Sequence, residues 1–293
     1  MCVTLWRHFE PEIINYIFET MKVLTKYFKK RKNAINFLLE KPKRAYTPDT
    51  FHKLRVEIKK LNSFFDLINF CSKEFKRKKT FKPFKLIFRQ AGKVRELQVE
   101  EAMLKKYFLN NLLKNYRDGL KKLRLKEQED FFSIANKKFA ARLKKTYREI
   151  LPFLAKTDKK KVKSYMEKKR MQIEKILSQK TLQTSQVHIL RKKLKTFNYN
   201  PKSLNLEKKN KPFPKKDDLP ELLGKWHDLQ VIIRHLKKAM DTCGINPTEV
   251  SQLEIIKAKF SSDSELLFNK INVTIPILEF FAMHNKVNEQ WNK

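Results

Sequence analysis

Glycine occurs four times in this chain of 293 residues, at positions 92, 119, 224 and 244. Without glycine the backbone cannot readily take the positive-φ conformations that tight hairpin turns and phosphate-cradling loops require. This scarcity argues against a β-sandwich and against a glycine-rich nucleotide-binding fold. Apolar residues recur at helical spacing along the length, so the chain reads as all-α.

The apolar supply is sufficient for a core. Apolar residues make up 41% of the chain and 23 are Phe, enough to fill one large or two modest domains. Proline and polar clusters punctuate the pattern at Pro42 to Pro48, Pro83, Pro152, Pro201 to Pro220 and Pro247. They predict helices at roughly 9–40, 49–78, 83–110, 118–155, 159–179, 184–198, 219–242 and 248–280. One long segment, 199–218, is rich in Lys, Asn and Pro, has no helical period and reads as a loop.

Charge then restricts the partner. Lys and Arg number 67 against 31 Asp and Glu, a formal +36, well beyond what solubility asks of a domain and in need of a polyanion. The basic residues are not gathered in a tail. They interleave with Leu, Ile and Phe at helical spacing, which puts the charge on the faces of folded helices. Cys2, Cys71 and Cys243 are odd in number and far apart, suggesting neither a disulfide framework nor a CxxC site and fitting a reducing cytoplasm. The apolar run MCVTLW stops at Arg7 and His8, too short for a signal-peptide core or a membrane span. His8, His235 and His284 lack metal-ligand spacing and no HExxH is present, so neither metal nor cofactor is expected.

An internal repeat organises the chain. Placing His52 on His188 aligns His-x-x-Arg in both copies, with Lys59 on Lys195, Asn62 on Asn198 and Leu54 on Leu190. Downstream, residues 91–99 (AGKVRELQV) align with 223–231 (LGKWHDLQV), with five identities and an acid at Glu96 and Asp228. The two blocks are 40 residues apart in the first copy, His52 to Gly92, and 36 in the second, His188 to Gly224. Half of the scarce glycines belong to this duplicated unit. Each would permit a close approach of helices or a bend, and Glu96 and Asp228 would orient neighbouring Arg or Lys.

At about 100° per residue, His52, Arg55 and Lys59 share a stripe roughly 60° wide, apart from an apolar face of Phe51, Leu54, Ile58, Leu61, Phe65 and Ile68. His188, Arg191 and Lys195 repeat the arrangement opposite Val187, Leu190, Leu194 and Phe197. Lys82, Lys85, Arg89 and Lys93 line a third helix, opposite Phe84, Ile87, Ala91 and Val94. A solvated helix face explains one such stripe. Two copies with the same residues at the same offsets point instead to a shared cationic groove, in which low-dielectric walls focus the potential.

These blocks, together and in this order, resemble the CHAD family, the conserved histidine α-helical domain. That family has His-x-x-Arg-Val followed by two basic residues early in one helix and Leu-Gly-x-x-Arg-Asp-x-x-Val in a later one, each in two halves. Here FHKLRVEIKKL and AGKVRELQV match the first half, and VHILRKKLKTFNY and LGKWHDLQV the second. The resemblance implies a single domain over 1–293 with half-repeats at approximately 44–156 and 181–285. It implies two pseudo-symmetric four-helix bundles forming one basic central groove that binds inorganic polyphosphate. Carried over by position, the contacts would be His52, Arg55, Lys59, Lys60, Arg89, Lys93 and Arg95 in one half, and His188, Arg191, Lys192, Lys195, Lys225 and His227 in the other. Asn62 and Asn198 stand where the family usually has Arg, and His227 where the first half has Arg95.

Some members add a triphosphate-hydrolysing domain marked by ExExK; here Val56-Glu57-Ile58-Lys59 lacks the first Glu. Phosphoryl transfer would need metal-binding carboxylates or a phosphate loop, so binding without catalysis is expected, in the cytoplasm and with polyphosphate granules included. The alternative partner is RNA or DNA, which a +36 chain would bind non-specifically. Single-strand recognition uses aromatics exposed beside the cations, whereas most Phe here lie on apolar faces.

Overall fold

A computed structural model describes residues 11–107, 113–200, 219–241 and 246–291, with side chains from 21 to 275 of these. The described residues form nine α-helices and one short 3-10 turn (Lys43–Ala45), with no strand among them. The helices are α1 (Pro11–Leu39), α2 (Pro48–Cys71), α3 (Arg77–Tyr107), α4 (Lys114–Ile134) and α5 (Lys137–Ala155). They continue as α6 (Lys159–Leu177), α7 (Thr184–Tyr199), α8 (Leu219–Met240) and α9 (Pro247–Trp291).

Local chemistry explains the starts. Thr47 caps α2, its Oγ1 accepting from the Thr50 N–H at 3.3 Å, with Pro48 in the first turn. Asn136 caps α5 through Oδ1 and the Phe139 N–H at 3.0 Å, and Asp158 caps α6 through the Lys160 N–H at 3.0 Å. α4 is capped from a distance. The Glu249 carboxylate, in the first turn of α9, accepts the N–H groups of Asn115 and Tyr116 at 2.9 and 3.1 Å.

Three boundaries differ from the sequence reading. The helix predicted over 49–78 stops at Cys71, where the Ser72 N–H closes on the Ile68 carbonyl at 2.8 Å and Phe75 turns in against Phe65 and Phe153. The next helix starts at Arg77, ahead of Pro83, because Phe81 packs on Phe84 and Phe65 and holds the preceding turn in place. The segment predicted as one helix over 118–155 is two, broken at Ala135 and capped afresh by Asn136. The loop read at 199–218 lies, from 201 onward, outside the described residues, as does Gly244.

The apolar faces build three clusters. The first joins α1, α2, the front of α3, the end of α4, α5 and the start of α6, and is rich in rings such as Phe28, Phe51, Phe64, Phe65, Phe84 and Phe131. The second joins the end of α6 to α7, the front of α8 and α9 around Trp226. The third joins the back of α3 and the front of α4 to the back of α8 and the front of α9. α3 and α8 therefore each cross two clusters. The third cluster ties the two repeat copies together, so their relative position is fixed by shared burial. All six apolar residues read from α2 and all four read from α7 are buried.

Candidate functional site

The cationic stripe of α2 is opposite its buried face. His52 is exposed, and Arg55 and Lys59 are half-buried where α2 meets α3. The Arg55 Nη1 donates to the Phe88 carbonyl at 2.9 Å, and its guanidinium lies 4.3 Å from the Phe88 ring centroid. Lys59 Nζ approaches the same ring at 5.8 Å. Gly92, one turn further along α3, leaves the guanidinium its room. A Cβ there would overlap Arg55 Nη1 and lie 3.1 Å from its Cζ.

The second copy is built differently. Aligning Gly92 on Gly224 places Pro220 opposite Phe88, so no aromatic ring stands there for Arg191 to stack on. Gly224 has nothing within 4 Å of an added Cβ, and the close approach expected there is absent. The Arg191 Nε is buried without a hydrogen-bond partner, and so is His227 Nδ1. His188 packs on Trp226 with ring centroids 4.6 Å apart and meets His227 edge-on at 5.4 Å.

Electrostatics show that the two stripes converge. Burial and the fields of Arg55, Lys195 and Arg191 push the Lys59 ammonium down to about 7, against the opposing pull of Asp228. Burial, then Arg191, His188, Lys195 and Lys59, push His227 down to about 3, leaving it neutral. Lys195 is lowered by burial and by Arg191. His52 is lowered by burial, Arg95 and Lys59, with Lys195 of the other copy also contributing. Asp228 reaches water at the wall of the cluster, yet partial burial of its carboxyl raises the pKa against the lowering effect of Arg191, Lys195, Arg95 and Lys59. His52, Arg55, Lys59 and Arg95 thus share one field with His188, Arg191, Lys195 and His227. Lys192 borders it through His188.

Four other residues carried over from the resemblance sit elsewhere. Lys60 donates to Glu57 Oε1 at 2.7 Å, and the other oxygen of that carboxylate pairs with Arg31. Lys93 pairs with Glu127 at 3.1 Å, and Lys225 with Glu221 at 2.7 Å. Arg89 is exposed on α3 and enters no ion pair among the described residues. The expectation that Glu96 and Asp228 face neighbouring cations agrees with the fields they exert on Arg55 and Arg191. Two participants were missed. Arg234 adds to the field on His188, and Phe88 is the surface on which Arg55 stacks. Helical spacing could have found Arg234, seven residues after His227; nothing local marks Phe88.

Such a cluster can hold an anion, because cations crowded out of water gain most when a polyanion replaces the lost solvation. Among the described residues no group of three or more His, Cys, Asp or Glu could hold a metal ion, and no helix is long and apolar enough to cross a membrane.

Comparison with known proteins agrees with this architecture. The crystal structure of the CHAD domain from the plant Ricinus communis is similar to the chain, with a TM-score of 0.65 at 13% identity, covering 89% of this chain and 91% of that one. No curated protein sequence matches the chain. The model of the CHAD domain matches residues 34–238, a span that contains both stripes, both glycine blocks and the cluster between them, and the chain accordingly belongs to the CHAD-domain family.

Proposed function

We propose that the protein binds inorganic polyphosphate, without turning it over, in the groove where the α2 and α7 stripes meet. One observation carries the reading: Lys59, its pKa brought to about 7 first by burial and then by Arg55 of its own copy, also feels Lys195 and Arg191 of the other copy, so cations of both copies gather out of water at one place. Burying like charges together is costly, and a chain with a negative charge at every unit offsets that cost along the whole stripe. The unpartnered Nε of Arg191 and Nδ1 of His227 give such a ligand buried groups to bond.

Polyphosphate suits the groove better than nucleic acid because the cluster presents cations without stacking surfaces. Its rings, Phe88 and Trp226, are already covered by Arg55 and His188. Calorimetric titration with polyphosphate of defined length, repeated at two salt concentrations and in competition with RNA, tests the reading. Saturable binding that salt weakens, and that the double change Arg191→Ala and Lys195→Ala abolishes, is the expected result. Equal binding by wild type and variant, or displacement of polyphosphate by RNA at physiological salt, overturns it.

A further inference from the structure

A second concentration of charge lies one to two turns along α2 from Lys59. Asn62, Ser63 and Asp66 follow on the same side of the helix and line a cavity of about 230 Å³ with Arg77 of α3, Lys169 of α6, and Lys192, Lys193 and Thr196 of α7. Four cations face one carboxylate, leaving a local excess of about three positive charges where four helices meet.

The carboxylate sets the geometry. Asp66 accepts from Arg77 Nη1 at 2.6 Å through one oxygen, and from Lys169 Nζ and the Tyr165 hydroxyl, each at 2.8 Å, through the other. The second arm of Arg77 donates to Asn62 Oδ1 at 3.1 Å. These bonds hold two cations at fixed positions, which lowers the ordering cost of a further anion. Lys193 donates to Gln172 at 2.8 Å, an uncharged partner that leaves its charge uncompensated. Its ammonium is held down by burial and by Lys169, against Asp66. Its field comes from this cavity and not from the Arg55, Lys59 and Arg191 cluster.

We propose that this cavity is a second anion site, which takes a phosphate group carrying two negative charges. Orthophosphate and the terminal group of a phosphate chain share that chemistry, whereas the internal units of a chain carry one charge each. The net positive excess favours the doubly charged form, because each negative charge gains from the same field, while Asp66 repels either form and serves to hold Arg77 and Lys169 in place. The amide nitrogen of Asn62, whose Oδ1 accepts from Arg77, adds a donor for the phosphate oxygens, while the Thr196 hydroxyl already donates to the Lys192 carbonyl at 3.0 Å. A chain lying over Lys59 and Lys195 would bring its end to the cavity, since four helical residues advance about 6 Å. The chain-end form of the proposal rests on polyphosphate binding in the groove; the free-ion form does not.

Calorimetry on the full chain with orthophosphate and pyrophosphate is the first arm. Saturable one-to-one binding is expected, weakened about tenfold by Lys193→Ala, as loss of a charge-assisted bond implies. Lys193→Arg, which keeps the charge, should restore it, and the groove change Lys59→Ala should leave it unaltered. No saturable binding, unchanged binding by Lys193→Ala at an unaltered melting temperature, or equal loss in Lys59→Ala overturns the site. The second arm compares polyphosphate with free ends and with both ends esterified. A preference for free ends that disappears in Lys193→Ala assigns the chain end; no preference, with pyrophosphate still binding, assigns the free ion. Should neither polymer bind, the groove reading fails while the first arm still decides the site.

Discussion

The guanidinium of Arg55 occupies the space in which a side chain on residue 92 would begin. Gly92→Ala must therefore push Arg55 from the Phe88 carbonyl and ring, and such overpacking costs about 1–3 kcal/mol. Its aligned partner Gly224 sits in the interior of α8 with nothing near an added Cβ. Gly224→Ala should instead gain about 0.5–1 kcal/mol of helix propensity. Urea denaturation of the two variants should shift the midpoint in opposite directions. A common shift would mean that the two glycines serve the same purpose.

Arg55 and Arg191 align in the repeat but differ in what holds them. Arg55 is bonded and stacked, whereas the Nε of Arg191 is buried without a partner. Arg55→Ala should destabilise the fold by about 2 kcal/mol, through a lost charged hydrogen bond and packing, with a smaller effect on the intrinsic affinity for polyphosphate. Arg191→Ala removes an unsatisfied buried donor and should leave the melting temperature near that of wild type while weakening binding at least tenfold. Thermal melts paired with titrations separate the two. Equal losses of stability, or equal losses of affinity, would refute the distinction.

This difference shows where sequence reading ends. Helical period located every buried residue named on α2 and α7, because burial of one face follows directly from spacing. The repeat identified residues of both stripes, but it presents the copies as equals. The partners that break the equality, Phe88 against Pro220, lie four residues before each glycine, outside the matching block. Lys60 and Lys225 are engaged by Glu57 and Glu221 on their own helices, three and four residues away, a spacing legible in the sequence, whereas only tertiary packing brings Glu127 of α4 to Lys93. The break after Cys71 had no proline or glycine to mark it, since Phe75 packing against Phe65 and Phe153 directs that turn. The cap of α4 comes from Glu249, more than a hundred residues away and beyond the reach of any local signal.

His235 makes the contact between α3 and α8 sensitive to pH. Its Nδ1 lies 2.7 Å from Glu100, a fully buried carboxylate that also accepts from the Tyr116 hydroxyl, and its Nε2 lies 3.8 Å from Glu96. The hydrogen bond to Glu100, and the fields of Glu100 and Glu96, raise the His235 pKa against burial and Arg234. A histidine whose pKa is higher folded than unfolded binds its proton more tightly in the native state. Its contribution is complete below the unfolded value of about 6.5 and is lost as pH rises through the folded value. His235→Gln should cost about 2 kcal/mol at pH 5.5 and less at pH 9. Denaturation across that range would show the variant with the flatter stability profile; parallel profiles would place the pH dependence elsewhere.

Asp228 is surrounded by Arg191, Lys195, Arg95 and Lys59, and its charge opposes both their mutual repulsion and the arrival of an anion. Asp228→Asn should therefore move stability and affinity in opposite directions. The apo protein loses a counter-charge in a crowded cationic cluster and should melt earlier, with the loss reversed by added salt as screening grows. Polyphosphate no longer meets a carboxylate and should bind several-fold more tightly at low salt. Protonation modulates this gain. Lys59 titrates at about 7, and removing Asp228 takes away a group that holds its proton on. At pH 6 Lys59 is mostly charged before binding; at pH 8 a polyanion must draw a proton onto it. The affinity gain should accordingly be larger at pH 6, and binding at pH 8 should take up protons, more in the variant than in wild type. Titration in two buffers of different ionisation enthalpy measures that uptake directly. If the variant bound polyphosphate more weakly at both pH values, Asp228 would be holding Arg191 and Lys195 in place for the ligand rather than competing with it.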